Sequence, residues 1–319
     1  MKYRTLGRTG LSVSEVGFGC WAIGGTSYGP TKDEDSLLAL ETAWRRGINF
    51  YDTADTYGHG HSEELLAQFL KDKPREKIIV ATKAGWDFYH GGNKKNFDPD
   101  YLVFACEESL KRLGVEAVDL YQLHNPSLAE IQAGEAVGVL EKLKGQGKIR
   151  FIGISVHKET EALEAIGDSR VDALQLVFNL IRQEMADKVL PKAKEKKVGV
   201  IVREPLACGL LTGKYRPDHQ FHKNDHRNRW THDTMQLELK KVGMLKTILA
   251  TERLSLARAA LEYVLDFEAV SSVIPGAKTK AQVLENLQAS ENPQLRIEEA
   301  HHLRDLYKRE KIFKETTGP

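Results

Sequence analysis

Four residues, Asp52, Tyr57, Lys83 and His124, are of the types that moving a proton onto a carbonyl oxygen requires. A phenol has an unperturbed pKa of about 10 and gives up its proton poorly at neutral pH unless its anion is stabilised. Lys83 offers the positive charge that would do so, and Asp52 offers the carboxylate that would keep that lysine charged and in place. His124 offers an imidazole hydrogen bond to the substrate oxygen. The set suits reversible hydride transfer at a carbonyl carbon, with Tyr57 as general acid or base at the oxygen. Taken singly, each residue has an ordinary explanation: Tyr57 as a surface aromatic in a glycine-rich loop, Asp52 as a helix cap, Lys83 and His124 as polar strand ends.

What makes them a set is the elements that must carry them. Asp52, Lys83 and His124 each close a separate β-branched or aromatic run, and Tyr57 follows the first of these closely. Runs of this kind cover residues 16–20, 49–53, 78–83, 118–124, 149–156, 173–179, 198–204 and 271–277. Between them lie segments of helical period, such as Leu37, Leu40 and Trp44, or Leu102, Cys106, Leu110 and Leu113. Strands alternating with helices imply parallel pairing, and eight such units imply closure into an α/β (β/α)8 TIM barrel, whose active face is built at the carboxyl ends of its strands. Short runs at 3–6 and 11–13 flank Gly7-Arg8-Thr9-Gly10 and predict an N-terminal β-hairpin that plugs the barrel's bottom. Residues 215–234 read as a long polar loop after the seventh strand. A helix over 281–289 and another over 297–313 form a C-terminal helical extension ending in a tail. No linker divides the chain, so residues 1–319 are expected to form one domain.

Composition narrows the partners. The 46 basic and 45 acidic residues nearly cancel, giving a formal charge of +1, so no broad field recruits nucleic acid or an anionic membrane. Three scattered cysteines, Cys20, Cys106 and Cys208, make neither a disulfide framework nor a zinc cage and fit a reducing compartment. With no signal core and no long uncharged apolar stretch, the expectation is a cytoplasmic protein with a small-molecule partner; the oligomeric state is left open.

The segments 49–58 (NFYDTADTYG), 80–83 (VATK), 119–124 (DLYQLH), 209–215 (GLLTGKY) and 274–278 (IPGAK) resemble the aldo-keto reductase family nearly end to end. The resemblance implies a barrel that binds a nicotinamide cofactor without a Rossmann domain, with Asp52, Tyr57, Lys83 and His124 catalytic. It implies cofactor contacts from Ser155 and Gln175 near the carboxamide, from Arg203, Leu206, Gly209 and Lys214, and from Gly276, Lys278, Gln282, Glu285 and Asn286 around the adenosine end. Lys278 suits a ribose 2′-phosphate, which favours NADP (NADPH) over NAD. Trp21 and Trp86, with His124, are expected to meet the substrate, an aldehyde, ketone or sugar, while Phe88, Tyr89 and Trp230 supply further aromatic surface. Three positions depart from the family's usual pattern: Val156 for an asparagine, Phe178 for a tyrosine, and Arg203 for the aromatic that stacks on the nicotinamide. Arg203 can stack in its place, select an anionic substrate, or simply pair with Glu204.

Several motifs are decoys. Gly17-Phe18-Gly19-Cys20-Trp21-Ala22 fits a dinucleotide pattern, but the residues after it cannot open a helix. Residues 209–214 are one short of a phosphate loop, and Tyr215 stands where a magnesium-binding hydroxyl should be. His219, His222 and His226 lie in a polar loop without cysteine, so no metal site is expected. Two alternative functions stay open: a sugar or alcohol dehydrogenase working oxidatively, and a non-catalytic cofactor-holding subunit like the potassium-channel β-subunits that resemble this family.

Overall fold

The computed structural model describes residues 1–25, 27–249 and 253–315. Eight parallel strands form one sheet in sequential order: Phe18–Gly19, Phe50–Asp52, Ile79–Ala84, Val118–His124, Ile149–Val156, Ala173–Val177, Gly199–Arg203 and Val270–Val273. Parallel bridges Val16–Val273 and Gly19–Gly276 join the first strand to the eighth and close the ring. The fold is thus the expected (β/α)8 barrel, with several strands shorter than their apolar runs because the residues at the rims bend into loops. The β-branched runs are buried on both faces, as parallel strands wrapped by helices must be.

Helices return the chain between strands, and their ends are written locally. Pro99 opens Pro99–Leu113, and Gly114, at φ 65°, ends it in the left-handed conformation. Ser127 and Glu130 cap Leu128–Ala133 reciprocally. Beyond the eighth strand, Lys280–Glu291 and Ile297–Arg309 supply the expected helical extension. The last helix is shorter than expected, giving way to a turn at Lys311–Lys314; the tail beyond residue 315 lies outside the described residues. The polar loop after the seventh strand also ends early, because the Thr231 side chain caps Thr234 N and starts a helix at His232–Ile248.

The barrel interior below the strand ends is a separate apolar cluster of Leu6, Val13, Phe50, Ile79, Ala81, Leu120, Ala173, Ile201 and Ile274. Leu6 and Val13 come from the predicted hairpin, Tyr3–Thr5 paired antiparallel with Ser12–Ser14, which plugs the bottom. Its close approach needs glycine: a Cβ on Gly7 would stand 2.2 Å from Gly199 N, and one on Gly199 would stand 2.6 Å from Leu6 Cδ1. A seam sews this end to the last strand. Arg4 donates to the carbonyls of Leu265 (2.7 Å) and Val270 (3.0 Å), and Ser271 Oγ donates to Thr5 O (3.1 Å). A second hairpin, Trp86–Asp87 with Lys94–Lys95, rises after the third barrel strand and was not expected from the sequence.

Candidate active site

Alternation along a strand sends every second side chain inward, and parallel register decides which inward groups meet. Asp52 is opposite Ala81, Lys83 opposite Gln122, and His124 opposite Ser155, which in turn pairs with Gln175. Polar side chains from neighbouring strands therefore share one end of the barrel. There Lys83 Nζ, fully buried, donates to Asp52 Oδ1 at 2.6 Å and to Thr53 O at 2.8 Å. The other carboxylate oxygen, Asp52 Oδ2, accepts from Gln122 Nε2 (3.0 Å) and Gln175 Nε2 (2.7 Å). Gln122 finds room because Gly153 faces it; a Cβ on that glycine would lie 2.7 Å from Gln122 Cγ.

Above this base, Lys83 Nζ lies 5.1 Å from the centre of the Tyr57 ring. The His124 ring meets Tyr57 edge-on at 6.0 Å and 82°, and Trp21 lies on the other side at 6.0 Å and 25°. The four sequence-derived catalytic candidates are thus brought together. Burial, followed by the Asp52 carboxylate, pushes the Tyr57 phenol well above its ordinary range, with Arg203 opposing. Lys83 Nζ is shared between Asp52 and Thr53, and burial lowers the lysine's pKa against Asp52's pull. Tyr57 therefore holds its proton firmly. Burial and the positive charge of Lys83 drive His124 well below the normal imidazole value, so it is neutral at physiological pH. Its Nδ1 is buried without a hydrogen-bond partner among the described residues.

The residues expected around a cofactor fall into two groups. At the mouth, Ser155 donates to Asn125 Oδ1 (3.2 Å), and Gln175 Oε1 is buried without a partner among the described residues, an acceptor that suits a carboxamide. Arg203 pairs with Glu204 at 2.7 Å, the plainest of its three expected roles, and also donates to Val156 O (3.3 Å) and Asn125 Oδ1 (3.4 Å). Leu206 and Gly209 lie in and beside the short turn Ala207–Thr212. At the outer end, Lys278 Nζ donates to the carbonyls of Tyr28 and Gly29, and Lys278 N donates to Gln282 Oε1 (2.7 Å). Lys278 lies in the field of Asp225, Arg227 and Lys214, with Arg227 itself paired to Asp225, a cluster whose net charge is positive and suits phosphates. Gly276 is exposed beside the first strand, Asn286 is buried and Glu285 exposed on the helix that follows. This donor set fits a phosphate-bearing dinucleotide.

Other expectations sort plainly. Trp86 stands in the second hairpin, where Lys95 lies over its ring. Phe88 and Tyr89 stack on each other at 4.0 Å, and Trp230 packs on Phe221. Phe178 faces Phe267 and Tyr263. Among the described residues no cluster of three potential ligands could hold a metal, and His226 is bonded to Ser27 O. Sequence reasoning missed Gln122, Asn125, Lys95 and Arg227. Gln122 was within reach, since it lies two residues before His124 and so on the same strand face. Asn125 follows His124 directly and joins Ser155, Arg203 and Lys95. Arg227 is locked on Asp225 and reaches Cys208 O and Tyr215 Oη from within a loop of no readable period.

Known proteins agree with this architecture. The chain is 34% identical over 315 residues to an uncharacterised oxidoreductase of Bacillus subtilis, covering 97% of this chain and 99% of that one. It is 33% identical over 311 residues to the NADH-specific methylglyoxal reductase of Escherichia coli, covering 91% and 93% of the two. The holo form of an aldo-keto reductase from Bacillus halodurans superimposes with a TM-score of 0.81 at 32% identity, covering 96% of both chains. Among the described residues no helix is long and apolar enough to cross a membrane. The Aldo/keto reductase family model matches residues 15–308, and the chain belongs to that family.

Proposed function

We propose that this oxidoreductase interconverts small carbonyl compounds and alcohols with NADP(H), Tyr57 exchanging the proton with the substrate oxygen. The observation that carries the reading is the buried Lys83–Asp52 pair beneath the Tyr57 ring with neutral His124 at its edge. A bound nicotinamide dinucleotide supplies or accepts the hydride. Tyr57 keeps its proton until the substrate oxygen gains negative charge, and donation then leaves a phenolate that Lys83 stabilises. Asp52 fixes Lys83, and Gln122 with Gln175 fixes Asp52, so the charge is in place before reaction. His124, uncharged, orients the substrate oxygen by a hydrogen bond. Trp21 and Trp86 wall the mouth, and aldehydes, ketones or sugars are the substrate class. Ser155 and Gln175 hold the carboxamide. Arg203, Leu206, Gly209 and Lys214 would contact the cofactor, and Gly276, Lys278, Gln282, Glu285 and Asn286 would surround its adenosine end.

The test is a screen of carbonyl compounds and alcohols with NADPH and NADH, followed by nicotinamide absorbance, on the parent and Tyr57→Phe. The variant keeps the ring and loses the proton, so turnover falls by about 100-fold or more, the low end for a lost general acid, while cofactor still binds. Near-parental turnover would refute the role of Tyr57. NADP recognition rests on Lys278, and the Escherichia coli relative is NADH-specific by name, so this choice needs its own measurement. A charge-assisted bond is worth about 1.5–3 kcal/mol, so Lys278→Ala weakens NADPH roughly ten- to a hundredfold and leaves NADH nearly unchanged in calorimetric titrations. Equal losses, or a parental preference for NADH, would overturn it.

A further inference from the structure

The hairpin after the third barrel strand sets Trp86 directly opposite Lys95. Residues opposite each other in an antiparallel pair share a face, and Lys95 Nζ lies 5.7 Å from the centre of the Trp86 ring. The same ammonium donates to the carbonyl oxygen of Asn125 at 2.8 Å. Asn125 follows His124 directly and has φ 60°, in the left-handed region. Lys95 is therefore held beside His124 by a neutral carbonyl and an aromatic face.

Nearby carboxylates are already engaged. Asp52 is bonded to Lys83, Glu204 is paired with Arg203, and Asp87 of the hairpin accepts from Asn96 and lies against the His90 ring. Lys95 forms no ion pair with any described residue, and two of its three donors remain for a ligand. Besides its burial, His124 lies in the field of the cations Lys83, Arg203 and Lys95. One exposed cation without an ion pair, backed by a flat ring, is thus tied to the residue that follows His124 at the barrel mouth.

We propose that the preferred substrate is a carbonyl compound bearing a carboxylate, which docks on Lys95 against Trp86 while its carbonyl oxygen meets Tyr57 and His124. This rests on the carbonyl chemistry proposed above and adds the substrate's charge. A monoanion matches a single free cation; a phosphate dianion would need a second, and Arg203 is already neutralised by Glu204. The carboxylate takes no part in bond making. It orients the substrate.

The test compares 4-carboxybenzaldehyde with its neutral isostere, methyl 4-formylbenzoate, on the parent, Lys95→Met and Lys95→Arg, at fixed ionic strength. The parent favours the acid at least about tenfold in kcat/KM, through KM; Lys95→Met loses that ratio and Lys95→Arg largely keeps it. Calorimetric binding of 4-(hydroxymethyl)benzoate against its methyl ester must show the same ratio, which makes the result independent of turnover. No preference in the parent, or a preference that survives in Lys95→Met, overturns the proposal. Failure of the parent to reduce the neutral ester and other neutral carbonyls is a separate result, against the carbonyl chemistry itself.

Discussion

Asp55, three residues past Asp52, is fully buried, and neither carboxylate oxygen has a hydrogen-bond partner among the described residues. Behind the Tyr57 loop it shares a polar interior with Glu63, which is bonded to Arg112 and Thr82, and with the unpartnered hydroxyls of Tyr89, Tyr101 and Tyr121. Burial, then Glu63, raises its pKa well above the normal carboxylate value. The folded protein thus binds this proton more tightly than the unfolded chain does. That contribution is complete below the unfolded value of about 3.9 and is lost as pH climbs through the raised folded value. Asp55→Asn keeps the shape without the charge, so its stability falls less with rising pH than the parent's does. Urea unfolding at pH 5 and pH 8 measures this; identical pH slopes in the two proteins would show that Asp55 does not set them. The contrast with Asp52 explains what was legible residue by residue. Types and strand-end positions identified Asp52, Tyr57, Lys83 and His124, but the same type in the same motif has opposite surroundings at Asp55. Solvation and partners are not written in the motif.

At the scale of elements, the strands and the plugging hairpin were legible because continuous β-branched runs, period-3.6 apolar segments between them and a Gly-Arg-Thr-Gly turn are local signals. The hairpin carrying Trp86 and Lys95 was not, since each of its strands is two residues long and the connection Phe88-Tyr89-His90-Gly91-Gly92-Asn93 carries no strand period. The early start of the helix at His232 was hidden in the polar loop, its only mark being the Thr231 cap. The fit between hairpin and barrel can be tested at Gly199, where an added Cβ must displace Leu6. Gly199→Ala should cost about 1–3 kcal/mol by overpacking and lower the melting temperature by several degrees. Because Gly199 lies at the amino-terminal end of its strand, away from Tyr57 and Lys83, kcat should stay near the parent's. A large loss of kcat at unchanged stability would mean that the plug and the mouth are coupled.

Across the whole molecule, the ring is completed by residues almost the full chain apart: Gly17 N donates to Val273 O at 2.8 Å, Val273 N donates to Glu15 O at 2.9 Å, and Arg4 reaches the carbonyls of Leu265 and Val270. This seam sets an order on biosynthesis. The first barrel strand to leave the ribosome has its second neighbour only after some 250 further residues have been made, and contacts so distant in sequence are slow to form. Until then the nascent chain is an open sheet with two unpaired edges, the form most prone to pairing with another copy. The oldest part of the polypeptide therefore waits for the youngest, and the hairpin plug, made first, can seat itself only once Gly199, Leu265 and Val270 have followed.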